Sequence, residues 1–422
     1  MKKRRIITEI LLGILVLFPV WNLSASYSDN DSTQFISYQG IIKNAKTNED
    51  LPFASIILKG TNVATVSNID GEFIIKVNKS STSKTLLISY IGYKNNTISL
   101  SEFEKAKFLT IKLDPLTEHL KELTVRPEDG AEIIRQVLYN RHNNYSHQAI
   151  SMTGFYRETI KNRRNYVSIS EAIIDIYKSN YDNDLQFDQV KIDKGRKSSN
   201  VEKMDTLLVK LQGGPAVLML LDIVKHPDNI FTEKYENIYV FEFENVVSIN
   251  DRLHYVLNFK QNSYIEEPYY YGKLYIDIER LAITDAIFSL NLENKEEASR
   301  QFIKKKPAGV TITPMNTTYR ASYTIQDNTW FFNYVRAEVK FKIDWKKKLF
   351  NTTISLMSEL AVTDRLPEMA EKIERKERFG RSDFMEEKVD AFFDPNYWGD
   401  YNLIEPDASI EQAIRKLYRK YK

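Results

Sequence analysis

The sequence predicts a mainly β protein, with an N-terminal antiparallel β-sandwich and a larger antiparallel β-rich domain that carries a few helices. Residues 51–93 alternate apolar and polar side chains in short runs that are broken at Gly60 and at Asp70-Gly71. Short runs of period two between turn residues are typical of a small sandwich. Residues 335–345 alternate over a longer span, and a chain of 422 residues exceeds one comfortable core. We therefore expect two domains.

Composition excludes several classes of function. The 59 lysines and arginines nearly cancel the 57 aspartates and glutamates, so no general basic field would attract nucleic acid. The chain has no cysteine, which excludes disulfides, thiolate metal sites, a cysteine nucleophile and a lipidated-cysteine anchor. A protein of this size then depends on core burial for stability.

The first residues resemble an export signal. Residues 2–5 are basic, residues 6–20 are largely apolar, and the small residues 24–26 follow. This order predicts a signal peptide over residues 1–26 and an exported protein. An uncleaved anchor is the alternative, because the apolar run approaches the shortest length that spans a bilayer.

Residues 35–114 form the predicted sandwich, and residues 115–128 form a linker before the β-rich domain of residues 129–422. Gly71 follows Asp70 at a turn that requires positive φ, which glycine adopts without steric cost. The predicted strands of the sandwich cover residues 35–42, 53–59, 72–77, 85–90 and 108–113.

The order of turn residues in this segment resembles that of the carboxypeptidase-regulatory-like domain, a transthyretin-like sandwich of many outer-membrane receptors and envelope proteins of the Bacteroidota. The residues that carry the resemblance are Gly40, Leu51-Pro52, Ala54, Gly60-Thr61, Asp70-Gly71, Phe73 and Ser89-Tyr90-Ile91-Gly92-Tyr93. Family members often have glycine before the third strand, where this chain has Ala64. The resemblance implies a folded accessory module of an envelope protein and not an enzyme.

The second region is predicted to consist mainly of hairpins, with one sheet that is buried on one face and solvated on the other. The predicted hairpins join residues 155–160 to 166–177, 239–247 to 253–260, 271–278 to 282–290, and 335–345 to 351–362. The 271–277 hairpin resembles the curved half-barrels of periplasmic lipoprotein-carrier folds. That resemblance implies a half-barrel as one form of this sheet.

Four helices are predicted in the second region. The first begins at Asp129 with Glu132 completing a capping box, and a short buried helix over 216–224 follows Gly213-Gly214-Pro215. Residues 364–381 are interpreted as a solvated helix. A last helix has Ser409 and Gln412 as a capping box, and its apolar stripe, which we expect to dock on the sheet, comprises Ile410, Ile414 and Leu417.

The sequence offers little support for an enzyme, a cofactor or a metal site. His119 and Glu122 match an H-x-x-E pattern, but a zinc peptidase needs a further histidine and a catalytic carboxylate on a large α/β domain. His142 and His147 are expected on different sides of a helix, and His226 and His254 at surface or turn positions. Nucleophile-elbow, phosphate-loop, dinucleotide and EF-hand motifs do not occur in the sequence.

An aromatic surface is the candidate binding site that the sequence offers. Tyr269, Tyr270 and Tyr271 are consecutive, and Trp330 precedes two phenylalanines. Such rings stack on sugars or line a hydrophobic groove. The alternative, which we favour, is that alternate tyrosines fill the core and the others shield strand edges. The lysine runs at 304–306 and 346–348 are interpreted as charges that discourage edge pairing, with contact to an anionic membrane as the alternative.

The export signal and the family resemblance together imply a non-catalytic exported envelope protein, an accessory or binding module near the outer membrane. The expected location is the periplasm or the periplasmic face of the outer membrane. The expected partners are envelope proteins, or a hydrophobic or glycan ligand, and not nucleic acid. A periplasmic carrier of a lipid or other hydrophobic ligand is the first alternative. A zinc carboxypeptidase-like enzyme is a weaker one.

Overall fold

The computed structural model describes residues 34–116, 129–183, 185–199, 211–231, 235–303, 307–346, 350–391 and 397–418. The predicted signal peptide, the pair His119 and Glu122, and the lysines 304–306 lie outside these residues. Everything described below belongs to one compact unit, Gln34–Lys422. Within the described part of the chain, no helix combines the length and the apolar character that crossing a membrane requires.

The N-terminal part is a sandwich of two small sheets with a short helix, α1 (Leu100–Lys105). Three strands form one sheet in the order β4-β1-β7, and four form the other in the order β3-β2-β5-β6. β7 runs parallel to β1, whereas the sequence predicted an antiparallel sandwich throughout. The seven strands are β1 (Phe35–Asn44), β2 (Ser55–Leu58), β3 (Ala64–Val66), β4 (Glu72–Asn78), β5 (Thr85–Ser89), β6 (Asn96–Ser99) and β7 (Phe108–Leu113).

Gly71 adopts the conformation that its turn requires. Its φ is +77°. A Cβ atom at this position would lie 2.7 Å from the carbonyl oxygen of Ile42, so a larger residue would clash with β1 as well as strain the turn. The turn prediction is confirmed at this residue.

The larger part is one open sheet of eleven strands, and the predicted mainly β fold is confirmed. Its order is β11-β12-β13-β14-β15-β16-β17-β8-β9-β10-β18, with ten antiparallel strands and the two-residue β18 parallel to β10. The four predicted hairpins are all present. The strands are β8 (Ile150–Asn162), β9 (Asn165–Lys178), β10 (Gln189–Ser199), β11 (Tyr239–Ile249), β12 (Arg252–Gln261), β13 (Tyr270–Asp277), β14 (Ala282–Leu290), β15 (Val310–Gln326), β16 (Thr329–Trp345), β17 (Thr352–Met369) and β18 (Asp390–Ala391).

Helical segments cover one face of this sheet. The main core lies between the sheet and two such segments, α2 with buried Ile133, Ile134 and Val137, and the stretch from α3 to residue 231. The helices of this region are α2 (Gly130–Asn144), α3 (Gly214–Leu218), the 3₁₀ turns Met219–Leu221 and Pro227–Asn229, α4 (Tyr235–Ile238), α5 (Lys295–Phe302), α6 (Met385–Lys388) and α7 (Ala408–Tyr418).

The sandwich covers the middle of the other face. Phe53 and Val66 of the sandwich form a core cluster with Phe155, Tyr334 and Trp398. The expectation that this sheet is covered on one side is therefore wrong at its centre. The polar residues that alternate along β16 suggested a solvated face, but the partly buried Arg336 forms an ion pair with the buried Glu359 at 2.6 Å. A paired charge gives the same sequence pattern as a solvated one.

Several helix predictions need correction. Residues 364–369 are not helical, because β17 continues to Met369 and pairs with the start of β8. The prediction took the spacing of Leu366, Met369 and Ile373 for a helical period in a charge-rich run.

The helix caps differ from the predicted capping boxes. Asp129 caps α2 as expected, but the Glu132 carboxylate pairs with Arg135 instead of completing a box. At α7 the cap is Asp407, whose carboxylate accepts a hydrogen bond from the Ile410 amide at 2.8 Å, and not Ser409. Ile410 and Ile414 dock on Ile169 of the sheet as predicted, while the side chain of Leu417 lies outside the described residues.

Candidate functional site

A groove of about 680 Å³ lies at the edge of the contact between the sandwich and the large sheet. Three parts of the large sheet line it, namely the segment before β8, the β15–β16 turn and the end of β17. The β2–β3 turn of the sandwich contributes one residue. We call it the junction groove, and its lining residues are Asn62, Ser146, Gln148, Ala149, Ile150, Gln326, Asp327, Thr329, Phe331, Arg365, Leu366 and Ala370.

The sequence at each wall explains the local shape. Asp327 and Asn328 form the β15–β16 turn with φ of 48° and 63°, a left-handed pair that aspartate and asparagine tolerate and that matches the twist of a hairpin. The register of β17 shifts between Leu366 and Met369, where Pro367 lacks an amide hydrogen for the ladder. The strand end therefore departs from regular pairing beside the groove.

Arg365 is the residue in this groove with the most unusual environment. It is only 6% exposed. Its Nη2 atom donates a hydrogen bond to the Gln326 side-chain oxygen at 3.3 Å, and its guanidinium carbon lies 5.2 Å from the centre of the Phe331 ring. Nε and Nη1 are buried with no hydrogen-bond partner. Burial lowers the pKa of Arg365 to about 10, and the charge of Asp364 opposes that shift only in part.

Neighbouring groups hold the Arg365 backbone but do not neutralise its side chain. The Asn62 amide of the sandwich donates to the Arg365 carbonyl oxygen at 2.6 Å. The Asp364 carboxylate accepts from the Arg365 amide nitrogen at 2.8 Å. Among residues whose side chains the structure describes, no carboxylate forms an ion pair with this guanidinium. The sandwich thus fixes the position of a buried cation that forms no ion pair with any side chain the structure describes.

Among the described residues, the other buried arginine and lysine side chains, those of Arg157, Lys178 and Lys225, all have hydrogen-bond or ion-pair partners. Arg157 and Lys178 each contact two carboxylates, and the Lys225 ammonium donates to the backbone oxygens of Asn180 and Asn183. The carboxylate contacts are Arg157 with Glu171 at 2.8 Å and Glu359 at 3.2 Å, and Lys178 with Asp188 at 2.6 Å and Asp222 at 2.7 Å.

The Lys178 cluster ties the helical segment to the sheet. Asp222, which follows the first 3₁₀ turn, accepts hydrogen bonds from the hydroxyls of Tyr181 at 2.9 Å and Tyr323 at 2.7 Å. Burial alone would raise the pKa of Asp222, but the charge of Lys178 and these hydrogen bonds outweigh it and lower that pKa. This fully bonded network is explained by its structural role.

Two buried carboxyls outside the groove have raised pKa values. Burial raises the pKa of Glu158 to about 8, opposed by a hydrogen bond from the Tyr156 hydroxyl at 2.7 Å. Burial also raises the pKa of Asp285 to about 7, although Arg320 lies 3.4 Å away and opposes the shift. Asp285 lies in a small polar cavity between the sandwich and the sheet.

The predicted aromatic residues do not come together. Tyr269 contacts Tyr239 with ring centres 6.2 Å apart, and Tyr270 packs on Phe288 at 5.4 Å. Tyr271 is 49% exposed, while Trp330 is 1% exposed and lies in the interior. Two strands, β14 and β15, separate the tyrosines on β13 from Trp330 on β16. Of the aromatic residues named from the sequence, Phe331 lies in the junction groove.

The histidines also differ from expectation. His254 is fully buried within β12, so its assignment to a surface or turn position is wrong. His226 is 8% exposed and directly precedes the 3₁₀ turn Pro227–Asn229, which agrees with the turn alternative and not with the surface one. The rings of His142 and His147 lie 6.5 Å apart, because α2 ends at Asn144 and His147 follows the helix instead of continuing it. Among the residues that the structure describes, no three histidine, aspartate or glutamate side chains are grouped to hold a metal ion.

Sequence reasoning did not identify Arg365. The residue stands in a run rich in charged side chains that was interpreted as a solvated helix. The continued strand pairing of β17 with β8 buries it, and that pairing joins residues more than two hundred positions apart. Residues 359–366 do not alternate between polar and apolar side chains, so the sequence offers no local signal for the burial of Arg365.

Comparison with known proteins supports the sandwich assignment. Residues 38–125 match the model of the CarboxypepD_reg-like domain, so this part of the chain contains that domain. No curated protein matches the sequence.

Two solved structures show weak similarity. One is described as "Lipid-protein interactions in lipovitellin" (TM-score 0.27, 9% identity), and the match covers 55% of this chain and 27% of that one. The other is a DUF1329 family protein from Desulfovibrio piger (TM-score 0.23, 8% identity), with 56% and 93% covered. At these TM-scores neither similarity carries an argument about fold or function.

Proposed function

We propose that this protein is a non-catalytic, exported binding protein of the cell envelope in a bacterium of the Bacteroidota, acting near the outer membrane. The sandwich and the large sheet work as one body, and the junction groove holds the ligand or a segment of the partner. The regulatory-like domain over residues 38–125 supports an accessory role. The signal-like pattern of residues 2–20 supports export.

The groove is the single observation that carries the proposal. Its volume of about 680 Å³ is within the range of small-molecule sites, roughly 300–1,000 Å³. Its lining combines apolar side chains, among them Ile150, Phe331 and Leu366, with a few polar groups that can fix orientation. Asn62 of the sandwich forms part of the wall, so an occupant would contact both parts of the chain.

Photo-crosslinking in living cells tests this proposal. A benzophenone amino acid at Leu366, which is 47% exposed in the groove, is expected to capture an envelope component. The matched control is the same amino acid at Phe350, which is exposed beyond the other end of β16. Capture at position 366 and not at 350, with the protein in the envelope fraction, is the expected result. Equal capture at both positions, or none at 366, would contradict the proposal.

A periplasmic carrier of a lipid or other hydrophobic ligand is the second candidate, and the exposed apolar Leu366 in the groove favours it. Helical segments fill the core on one face of the sheet, so a hydrophobic ligand would occupy the junction groove instead of that face. A carrier accelerates the transfer of a labelled lipid between donor and acceptor vesicles. Transfer no faster than in buffer would remove this candidate.

The non-catalytic part of the proposal has its own test. A zinc carboxypeptidase would contain close to one zinc ion for each chain after purification from its native cells. Elemental analysis is expected to find much less than that. One equivalent of zinc, lost together with peptidase activity in a His119→Ala variant, would overturn the non-catalytic assignment.

A further inference from the structure

We propose that the junction groove binds an amphiphilic carboxylate, with the carboxylate group on the Arg365 guanidinium and an apolar chain against Phe331 and Leu366. This inference rests on the proposed function, because it names the ligand class of the same groove.

Three N–H groups of the Arg365 guanidinium have no hydrogen-bond acceptor in the described part of the protein. Nε carries one of them and Nη1 carries two. A buried donor without an acceptor is costly, and a buried unpaired charge more so. Proteins keep such a group where a ligand completes it, as functional sites often hold groups with perturbed pKa values. The guanidinium of Arg365 is therefore prepared for an anion that none of the described side chains supplies.

An anion in the groove would lie next to the Arg365 side chain. Arg365 lines the groove, and Gln326, which accepts its 3.3 Å hydrogen bond, lines the groove as well. The bond is long and its acceptor is neutral, so a charged acceptor forms a stronger hydrogen bond in its place. A carboxylate that enters the groove replaces Gln326 and completes the guanidinium fork.

The charged residues of the groove lining favour an occupant with a single negative charge. Among the described lining residues Arg365 is the one cation and Asp327 is the one acid. A phosphate dianion would need additional cationic side chains, and phosphate-binding sites usually provide them. One guanidinium in an otherwise uncharged or acidic wall matches a single negative charge, which a carboxylate carries.

The apolar residues of the groove lining favour an occupant with an apolar chain. Ala149, Ile150, Phe331, Leu366 and Ala370 give the groove an apolar wall. Leu366 is 47% exposed, which leaves apolar surface for an unbranched chain to cover. A carboxylate at one end and an apolar wall along the rest define an amphiphile of the fatty-acid type.

Isothermal titration calorimetry of the full mature chain tests the inference with decanoate and its uncharged analogue decanamide at pH 7.5. The wild-type protein is expected to bind decanoate about ten- to a hundred-fold more tightly, which is the effect of a charged hydrogen bond. Arg365→Gln should remove this preference, and Arg365→Lys, which keeps the charge, should retain part of it. Arg164→Gln, at the exposed turn beyond the other end of β8, is the matched control and should bind like wild type.

Different failures have different meanings. Equal affinity of the wild type for both compounds, or a preference that survives in Arg365→Gln, overturns the inference. Tighter binding of an apolar tripeptide with a free C-terminal carboxylate than of decanoate overturns the fatty-acid type of occupant. If neither compound binds while crosslinking at position 366 still captures a partner, the carboxylate inference fails and the proposed function stands. Loss of the crosslink as well removes both.

Discussion

The ring of Phe53 in the sandwich stacks on the ring of Tyr334 in the large sheet, with ring centres 5.9 Å apart and planes inclined by 24°. The guanidinium carbon of Arg336 lies 4.8 Å from the centre of the same Phe53 ring. Phe53 has a φ of +62°, a conformation that a bulky residue adopts at a cost. The contacts across the junction hold this residue in place, and they join the sandwich to the large sheet.

This relationship predicts an unusual order of stability for two variants. Phe53→Ala should lower the free energy of unfolding by about 2–4 kcal/mol, because the ring contacts are lost and alanine keeps the strained φ. Phe53→Gly should be about 1 kcal/mol more stable than Phe53→Ala, because glycine adopts positive φ freely. Urea unfolding measures both. At an ordinary position glycine is the less stable of the two, and that order here would show that the strain is absent.

The Arg157 network predicts a large loss of stability. Arg157→Met leaves Glu171 and Glu359 buried, although each keeps a second arginine. We expect the free energy of unfolding to fall by about 3 kcal/mol, since breaking a buried ion pair typically costs 3–5 kcal/mol. Arg300→Ala, which removes an exposed pair with Glu296, is the control and should change it by less than about 0.5 kcal/mol. Similar effects for both variants would contradict the assigned network.

Glu158 predicts a pH dependence with a definite sign. Its folded-state pKa is raised from 4.5 to about 8, so between these values the folded protein binds more protons than the unfolded chain. Stability from this group therefore falls as pH rises through that window, by about 1.4 kcal/mol for each pH unit. Glu158→Gln should remove this contribution, so that the variant gains on the wild type between pH 5 and pH 8. The free energy of unfolding in urea is measured for both proteins at several pH values. The same change with pH in both proteins would disprove the raised pKa of Glu158.

Substitution of Arg365 by methionine is expected to change stability in the opposite direction from the same substitution of Arg157. Arg365→Met replaces an unpaired buried cation by an apolar side chain of similar length, so thermal unfolding should show a gain of about 1–3 kcal/mol. The same variant should lose its preference for a carboxylate ligand. Arg157→Met is the matched comparison, because the substitution is identical and the expected sign is reversed. A loss of stability in Arg365→Met would show that the guanidinium is a structural group.

Local patterns were sufficient to predict most strands and hairpins. Asn250 and Asp251, which stand between the predicted strands 239–247 and 253–260, both have positive φ and join β11 to β12. Side-chain alternation and turn residues are local properties, so they can be read from the chain.

Pairings between distant residues could not be predicted in this way. The parallel contact of β7 with β1 and the return of β17 beside β8 depend on long-range packing. The docking of the sandwich on the sheet has the same origin. It turns Arg336, which looked solvated, into a partly buried partner of Glu359.

The candidate site could hardly be predicted from the sequence, for the same reason. The sequence indicated Tyr269, Tyr270, Tyr271 and Trp330 because clustered aromatic side chains can form a binding surface. The groove instead depends on Arg365, whose burial follows from strand pairing and from contact with Asn62. A charged residue in a charge-rich run has the same appearance whether it is solvated or buried without a partner.

Native mass spectrometry of the protein purified gently from its own cell envelope tests the central claim most directly. The claim is that the junction groove holds a ligand in the cell. The wild-type protein should carry an additional small-molecule mass, and Leu366→Trp, which fills the groove, should carry none. Arg164→Gln should retain the mass. An absence of bound mass in the wild type, or the same mass in Leu366→Trp, would contradict the claim.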